Sequence, residues 1–179
     1  MLDGETLTIE PGVIVEFLDS YTMYIQGQIL AQGTETDSIL FTASNPDTGF
    51  RSIRFINTSA SNDTSRFTYC RFEHGKAYGN SPDNYGGALG ILNFDKVIVD
   101  HCLFRNNEAK DISIYFSSGG GAIALSMSNA IVRNSTFRNN ESLGGGAIFC
   151  EKGTPLISNN VFSENISHYE GGVWGQGYG

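Results

Sequence analysis

Aromatic and amide side chains are concentrated in polar segments of this chain, at His74–Gly87, Glu108–Gly120 and Ser167–Gly172. Aromatic rings can stack on the apolar faces of sugars, while carboxylates and amides can bond to sugar hydroxyls. If the segments emerge on one side of the protein, they form a ligand-binding surface. Its candidate residues are Tyr78, Asp83, Asn84, Tyr85, Tyr115, Phe116, His168 and Tyr169.

The same aromatic residues have a second interpretation that involves no ligand. Ile112, Ile114, Tyr115 and Phe116 are close together in one segment. Apolar residues under a long surface loop often form a small satellite cluster that covers the main core. The sequence leaves both interpretations open.

Catalysis has weaker support. A polysaccharide lyase needs clustered carboxylates that hold calcium, with an Arg or Lys nearby that takes a proton. Asp100 and His101, in VIVDHCLF, resemble a strand motif of pectate lyases, but the equivalent positions of the next repeats hold Arg133-Asn134 and Ser158-Asn159. This favours a turn role, so we assign no catalytic residue, metal ligand or cofactor. A lyase or glycoside hydrolase fragment, which would use calcium, is the alternative function.

A glycine-rich block recurs along the chain and reveals how these segments are positioned. It reads GGGAIAL at Gly119–Leu125 and GGGAIFC at Gly144–Cys150, with weaker copies at Gly86–Ile91 and Gly171–Gln176. From the glycine just before the alanine or valine of a block to the next phenylalanine, the count is 17, 16 and 16 residues (from Gly87, Gly121 and Gly146), whereas the interval from a phenylalanine to the next such glycine varies from 9 to 17. A fixed segment joined to a variable one-sided loop is typical of a solenoid.

The fixed segments read as short strands, because they are rich in β-branched and aromatic residues and bounded by Gly, Asn, Asp and Ser. We therefore predict an all-β fold, a right-handed parallel β-helix of about seven turns, with uncapped or weakly capped ends. Like residues should stack in columns along it. The predicted columns are Phe72, Phe104, Phe137, Phe162; Asn107, Asn140, Asn165; Cys70, Cys102, Ser135, Asn160; and Gly87, Gly121, Gly146, Gly172.

Two corners of the coil are also predicted. Along each strand every second side chain should point into the core, and this alternation is interrupted at one repeat position: Tyr69, His101, Asn134 and Asn159. We place a corner there, since asparagine tolerates the left-handed backbone that a corner needs. The paired glycines should form another corner, where a side chain would clash or φ must be positive.

The repeated GGAI and FxxN motifs resemble the passenger repeats of chlamydial polymorphic outer-membrane proteins and β-helix repeats of related bacterial surface proteins. The resemblance covers residues 67–179, and residues 1–66 resemble the opening turns of bacterial β-helix proteins instead. It implies an extracellular or cell-surface structural and adhesive module. We expect a single domain over residues 1–179, a fragment of a longer protein whose signal and anchor lie elsewhere.

Charge and cysteine content limit the partners. The net charge of −8 disfavours nucleic acid, and no apolar run is long enough to span a bilayer. The three cysteines are expected to be buried free thiols. We expect a polysaccharide or a host or cell-surface protein as partner, no membrane insertion, and end-to-end self-association through the open strand edges.

Overall fold

The computed structural model describes residues 1–111, 119–168 and 173–176. These residues form strands, turns and bends, and they include no helix long and apolar enough to cross a membrane. The strands in chain order are β1 (Thr6–Ile9), β2 (Ile14–Phe17), β3 (Thr22–Tyr24), β4 (Gln28–Gln32), β5 (Ile39–Ala43), β6 (Ser52–Phe55), β7 (Ser65–Thr68), β8 (Cys70–Glu73), β9 (Lys76–Gly79), β10 (Leu89–Leu92), β11 (Val97–Asp100), β12 (Leu103–Arg105), β13 (Glu108–Asp111), β14 (Ile123–Ser126), β15 (Ile131–Arg133), β16 (Thr136–Arg138), β17 (Glu141–Ser142), β18 (Ile148–Glu151), β19 (Leu156–Ser158), β20 (Val161–Ser163), β21 (Ile166–Ser167) and β22 (Val173–Gln176).

Every strand pairs in parallel with the equivalent strand of the neighbouring turn, so the strands stack into four sheets along the coil. The first sheet has the order β1-β4-β7-β11-β15-β19, the second β3-β6-β10-β14-β18-β22, and the third β2-β5-β8-β12-β16-β20. The fourth sheet, β9-β13-β17-β21, begins only in the third turn. The fold is the predicted right-handed parallel β-helix, in which the described residues give six strands to each long sheet.

A column of stacked phenylalanine rings fills the interior behind the third sheet. Ring centroids are 4.6 Å apart from Phe72 to Phe104, 4.9 Å from Phe104 to Phe137 and 5.1 Å from Phe137 to Phe162. Phe41 extends the column one turn earlier, 4.9 Å from Phe72. All but Phe162 are fully buried, so the predicted ladder is confirmed as core.

The corner predicted between the first and third sheets is confirmed. Tyr69, His101, Asn134 and Asn159 have φ angles of 48°, 52°, 51° and 54°. Two further columns have the same left-handed backbone at equivalent places, and they were not predicted: His74, Asn106, Asn139, Glu164; and Asn57, Asn93, Met127, Lys152. The left-handed region costs a non-glycine residue roughly 1–2 kcal/mol, so the packed turns must stabilise it.

Buried asparagines join successive turns behind the corner that precedes the fourth sheet. The Asn107 amide nitrogen donates to Asn140 Oδ1 at 2.9 Å and to the Phe72 carbonyl at 3.0 Å. Asn140 repeats the pattern with Asn165 at 2.8 Å and Phe104 at 3.1 Å. Each side chain therefore satisfies buried backbone groups that the corner leaves unpaired.

The column that begins with the cysteines has the same role. The backbone N–H of Cys70 donates to Cys102 Sγ, that of Cys102 to Ser135 Oγ at 3.0 Å, and that of Ser135 to Asn160 Oδ1 at 2.9 Å. The three cysteines are buried and free, as expected. The hydrogen bond to Cys102 and burial raise the pKa of Cys70, and burial raises that of Cys150 to about 11.

The two glycines that precede the alanine of each block have different tasks. The first of this pair has a positive φ, 71° at Gly120 and 62° at Gly145. The second packs against backbone: a Cβ on Gly121 would lie 2.2 Å from the Gly146 carbonyl oxygen, and one on Gly146 would lie 2.5 Å from that of Ile166. We predicted a positive φ or a steric clash for the paired glycines. The positive φ is found at the first glycine of the pair and the clash at the second. Gly172 lies outside the described residues.

Candidate binding face

The fourth sheet presents polar side chains on its outer surface. Ala77, Ala109 and Ser142 are in register on successive strands and buried, so the residues on either side of them point outward. This surface, which we call the fourth-sheet face, consists of Lys76, Tyr78, Glu108, Lys110, Glu141, the exposed Ile166 and His168.

The charges on this face are paired along the sheet. Glu108 contacts Lys110 and lies 4.0 Å from Lys76 Nζ. Glu141 Oε1 lies 2.8 Å from His168 Nε2. Two lysines therefore face two glutamates, and the face is polar with little net charge.

A groove of about 260 Å³ runs between β13, β17 and the segment after β21. Its walls are residues of three successive turns: Glu108, Ala109, Lys110, Glu141, Ser142, Leu143 and His168. Carboxylate, ammonium and imidazole groups thus surround a small apolar floor. This is the chemistry that hydroxyl-rich ligands use, with a few polar groups fixing orientation.

Tyr78 lies one strand before the groove, and 41% of its surface is exposed. The Arg51 guanidinium carbon is 4.3 Å from the ring centroid, and Arg51 also donates to the Tyr78 carbonyl at 2.9 Å. The guanidinium covers one face of the Tyr78 ring in a cation–π contact. Asp83, also exposed, lies beside Gly79, the residue that follows Tyr78.

Two residues of the predicted ligand surface make contacts within the fold. Asn84 is fully buried, and Tyr85 packs on Phe149 with ring centroids 5.3 Å apart. The cause is Arg54, itself buried, which donates to the carbonyl oxygens of Pro82 at 2.7 Å, Asp83, and Tyr85 at 3.1 Å. Burial lowers the pKa of Arg54 and nearby Asp83 opposes that shift. The arginine draws the loop inward, so Asn84 is unable to reach a ligand.

The remaining predicted residues are divided between two places. Tyr78 and Asp83 lie at the β9 end of the fourth-sheet face, and His168 lies beyond β21, three strand spacings or about 14 Å away. Both places lie along the fourth-sheet face. Tyr115, Phe116 and Tyr169 lie outside the described residues, so the satellite-core interpretation stays untested.

Sequence reasoning missed the acids of this face. Glu108 and Glu141 each follow a ladder asparagine, Asn107 and Asn140, so they occupy one repeat position. The Asn-Glu pair was therefore the signal that could have found them. Arg51 and Arg54 gave no such signal, because they lie outside the glycine and phenylalanine motifs.

His101 lies at the corner between the first and third sheets, and Asp100 ends β11 just before it, which agrees with the turn role. Burial would raise the pKa of Asp100, but hydrogen bonds from Asn134 and Arg133 outweigh it, so this pKa lies below its usual value. Within the described parts of the chain, no three His, Cys, Asp or Glu side chains lie close enough together to hold a metal ion.

Comparison with known proteins supports the resemblance noted in the motifs. Residues 134–151 match the Chlamydia polymorphic membrane protein repeat. These residues contain β16, β17 and the glycine block that opens β18. No curated protein sequence and no solved structure matches the chain. One turn of this parallel β-helix is thus similar to the repeat of chlamydial polymorphic membrane proteins, and the chain resembles their passenger segments.

Proposed function

We propose that this chain is a structural and adhesive module of an extracellular or cell-surface protein, without catalytic activity, and that its fourth-sheet face binds a glycan. The matched repeat belongs by name to a membrane protein family. The coil is well suited to projection, because every turn packs on its neighbours and adds about 4.8 Å of length.

The groove beside Glu108 and Glu141 is the observation that carries the binding role. It offers carboxylates and a lysine to sugar hydroxyls, and Tyr78 provides an aromatic surface one strand away. Because the lysines and glutamates offset one another, the groove suits an uncharged sugar chain better than a polyanion. The groove lies parallel to the coil axis, so it can follow an extended oligosaccharide.

A glycan array tests this role. The wild-type protein is compared with Tyr78→Ala and Glu141→Gln, and with Tyr21→Ala as a matched control. Tyr21 is 61% exposed and precedes β3, outside the fourth sheet. We expect binding of a neutral glycan that falls about tenfold or more in the first two variants, since Tyr78→Ala removes a stacking ring and Glu141→Gln replaces a charged carboxylate acceptor with a neutral amide. The control should bind as the wild type does.

Two results would overturn the proposal. If Tyr21→Ala weakens binding as much as Tyr78→Ala, the site is not on the fourth-sheet face. If polyuronate incubated with the protein and calcium yields an ultraviolet-absorbing unsaturated product, the chain is a lyase. Circular dichroism melts of all variants show whether they are folded.

A further inference from the structure

Positive charge is concentrated on one surface of this acidic chain. The sequence has 19 acidic residues and 11 lysines and arginines. On the outer surface of β8, β12 and β16, however, three arginines accompany a single glutamate. They flank the buried phenylalanine of each strand and point outward: Arg71, Glu73, Arg105 and Arg138. We call this surface the arginine strip.

One glutamate neutralises only part of the strip. Glu73 accepts hydrogen bonds from Arg71 at 2.6 Å and from Arg105 at 2.8 Å. Arg138 is exposed and forms no ion pair with any residue that the structure describes. Three positive charges against one negative leave an excess of two, in a protein whose net charge is −8.

A groove of about 380 Å³ adjoins the strip at the corner before the third sheet. Tyr69 and His101 stack along one side, with ring centroids 4.9 Å apart and planes 28° apart. Both rings belong to left-handed corner residues, which the packed turns hold in place. Asn134, Thr136 and Arg138 line the rest, together with Cys102 and Leu103.

Asp100, the acid that precedes His101 in the chain, is already paired. Asp100 accepts hydrogen bonds from Arg133 at 2.9 Å and from Asn134 at 2.9 Å, and it lies 2.7 Å from His101 Nδ1. Arg133 offsets its charge, so Asp100 does not cancel the excess on the strip. Arg138, which has no ion-pair partner among the described residues, thus faces the groove as a cation that can bind an anion.

We propose that this corner groove and the arginine strip bind an anionic glycan. A sugar ring packs on the Tyr69 and His101 side chains, and its carboxylate or sulfate group accepts hydrogen bonds from Arg138. Arg105 is in register with Arg138 on the neighbouring strand, where it receives a second anionic group. Stacked rings beside a guanidinium group suit such a ligand, because the guanidinium can donate to two oxygens of a carboxylate or sulfate group and the rings bind the sugar.

Other anionic polymers fit these features less well. An excess of two charges is small for nucleic acid, whose binding depends on many phosphate contacts and is opposed by the overall negative charge. An acidic peptide would use the arginines but gains little from a stack of two rings at a corner. The groove volume lies in the range of small-molecule sites and matches one or two sugar units.

The test measures binding of the intact chain by isothermal titration to heparin, polygalacturonate, dextran and polyglutamate. Arg138→Gln removes the unpaired cation, and His101→Asn removes one ring while keeping a corner residue like Asn134. Arg66→Gln is the matched control, because Arg66 is an exposed arginine on the outer surface of the first sheet. We expect affinity for heparin or polygalacturonate to fall about ten- to hundredfold in the first two variants.

The relative affinity for heparin and polygalacturonate distinguishes sulfate from carboxylate as the anionic group. Dextran should not bind here, and Tyr78→Ala should leave the affinity unchanged, which separates this site from the fourth-sheet face. The proposal fails if neither anionic glycan binds, if Arg66→Gln loses as much affinity as Arg138→Gln, or if polyglutamate binds as tightly as the glycans.

Discussion

The first two turns of the coil, β1 to β6, and the later turns, from β7 onward, share one interior but have different corners. We call them the early and the late turns. Between the first and third sheets, the early turns use residues 10–13 and 33–38, whereas the third turn needs only Tyr69. The fourth sheet begins at β9, so the early turns lack it. The phenylalanine column nevertheless runs through both regions, from Phe41 onward. Interior packing therefore closes the coil, and the repeat motifs add tight corners and the fourth-sheet face.

The largest effects are expected from core substitutions, which test whether the phenylalanine column stabilises the early and the late turns alike. Phe41→Ala and Phe137→Ala each remove a fully buried stacked ring, one in each region. Each should lower the free energy of unfolding by roughly 3–5 kcal/mol, measured by urea denaturation. Phe162→Ala, whose ring is 40% exposed, should cost clearly less. If Phe41→Ala costs under about 1 kcal/mol, the ladder does not stabilise the early turns.

Glycine substitutions compare the corners of the two regions. In Gly146→Val the new side chain meets the Ile166 backbone, with Cβ 2.5 Å from its oxygen, so we expect a loss of about 3 kcal/mol. At Gly12, with φ of 79°, a Cβ has open space around it. Gly12→Ala should therefore cost only about 1 kcal/mol, from backbone strain. Equal thermal shifts for the two variants would contradict the close backbone contact at the late corner.

The asparagine column belongs only to the late turns. Asn140→Leu keeps the side-chain size but leaves the Phe104 carbonyl and the Asn107 amide without their bonds. The loss should be about 2–3 kcal/mol, because buried polar groups without partners are costly. Asn139, the exposed neighbour with φ of 53°, is the control, and Asn139→Gly should be nearly neutral. Similar chemical denaturation midpoints for both variants would show that the column is not stabilising.

The smallest effect concerns acid stability. Burial would raise the pKa of Glu73, but hydrogen bonds from Arg105 and Arg71 outweigh it and hold this pKa below its usual value. The carboxylate therefore stabilises the fold above its unfolded pKa, near 4.3, and this contribution is lost as the pH falls through the lower folded pKa. Thermal melts between about pH 6 and pH 2 should show a shallower loss for Glu73→Gln than for the wild type. If the melting temperatures of both proteins fall equally with pH, Glu73 does not stabilise the fold through its contacts with Arg71 and Arg105.

The interior could be read from the sequence because stacking requires like residues at equal intervals. Phe104, Phe137 and the asparagines that follow them recur in register, and so do the corner residues. The cysteine column was harder, since Cys102, Ser135 and Asn160 share only the ability to accept a backbone hydrogen bond.

The two proposed binding surfaces could be predicted only in part. The sequence predicted one face for Tyr78 and His168, but the burial of Asn84 depends on Arg54, which comes from another turn. The arginine strip was missed because Arg71, Arg105 and Arg138 occupy two different columns. The register between turns brings such side chains together, and the sequence of a single repeat does not show that register.

The register of the strands is the claim on which both proposed surfaces depend. Ile14 and Val161 are exposed residues of one column of the third sheet, separated by five strand spacings, and Thr136 is one spacing before Val161. Spin labels at positions 14 and 161, with the native cysteines replaced, should be about 24 Å apart by pulsed dipolar spectroscopy, and labels at 14 and 136 about 5 Å closer. Distances that do not change by one spacing between the two pairs would contradict the parallel coil.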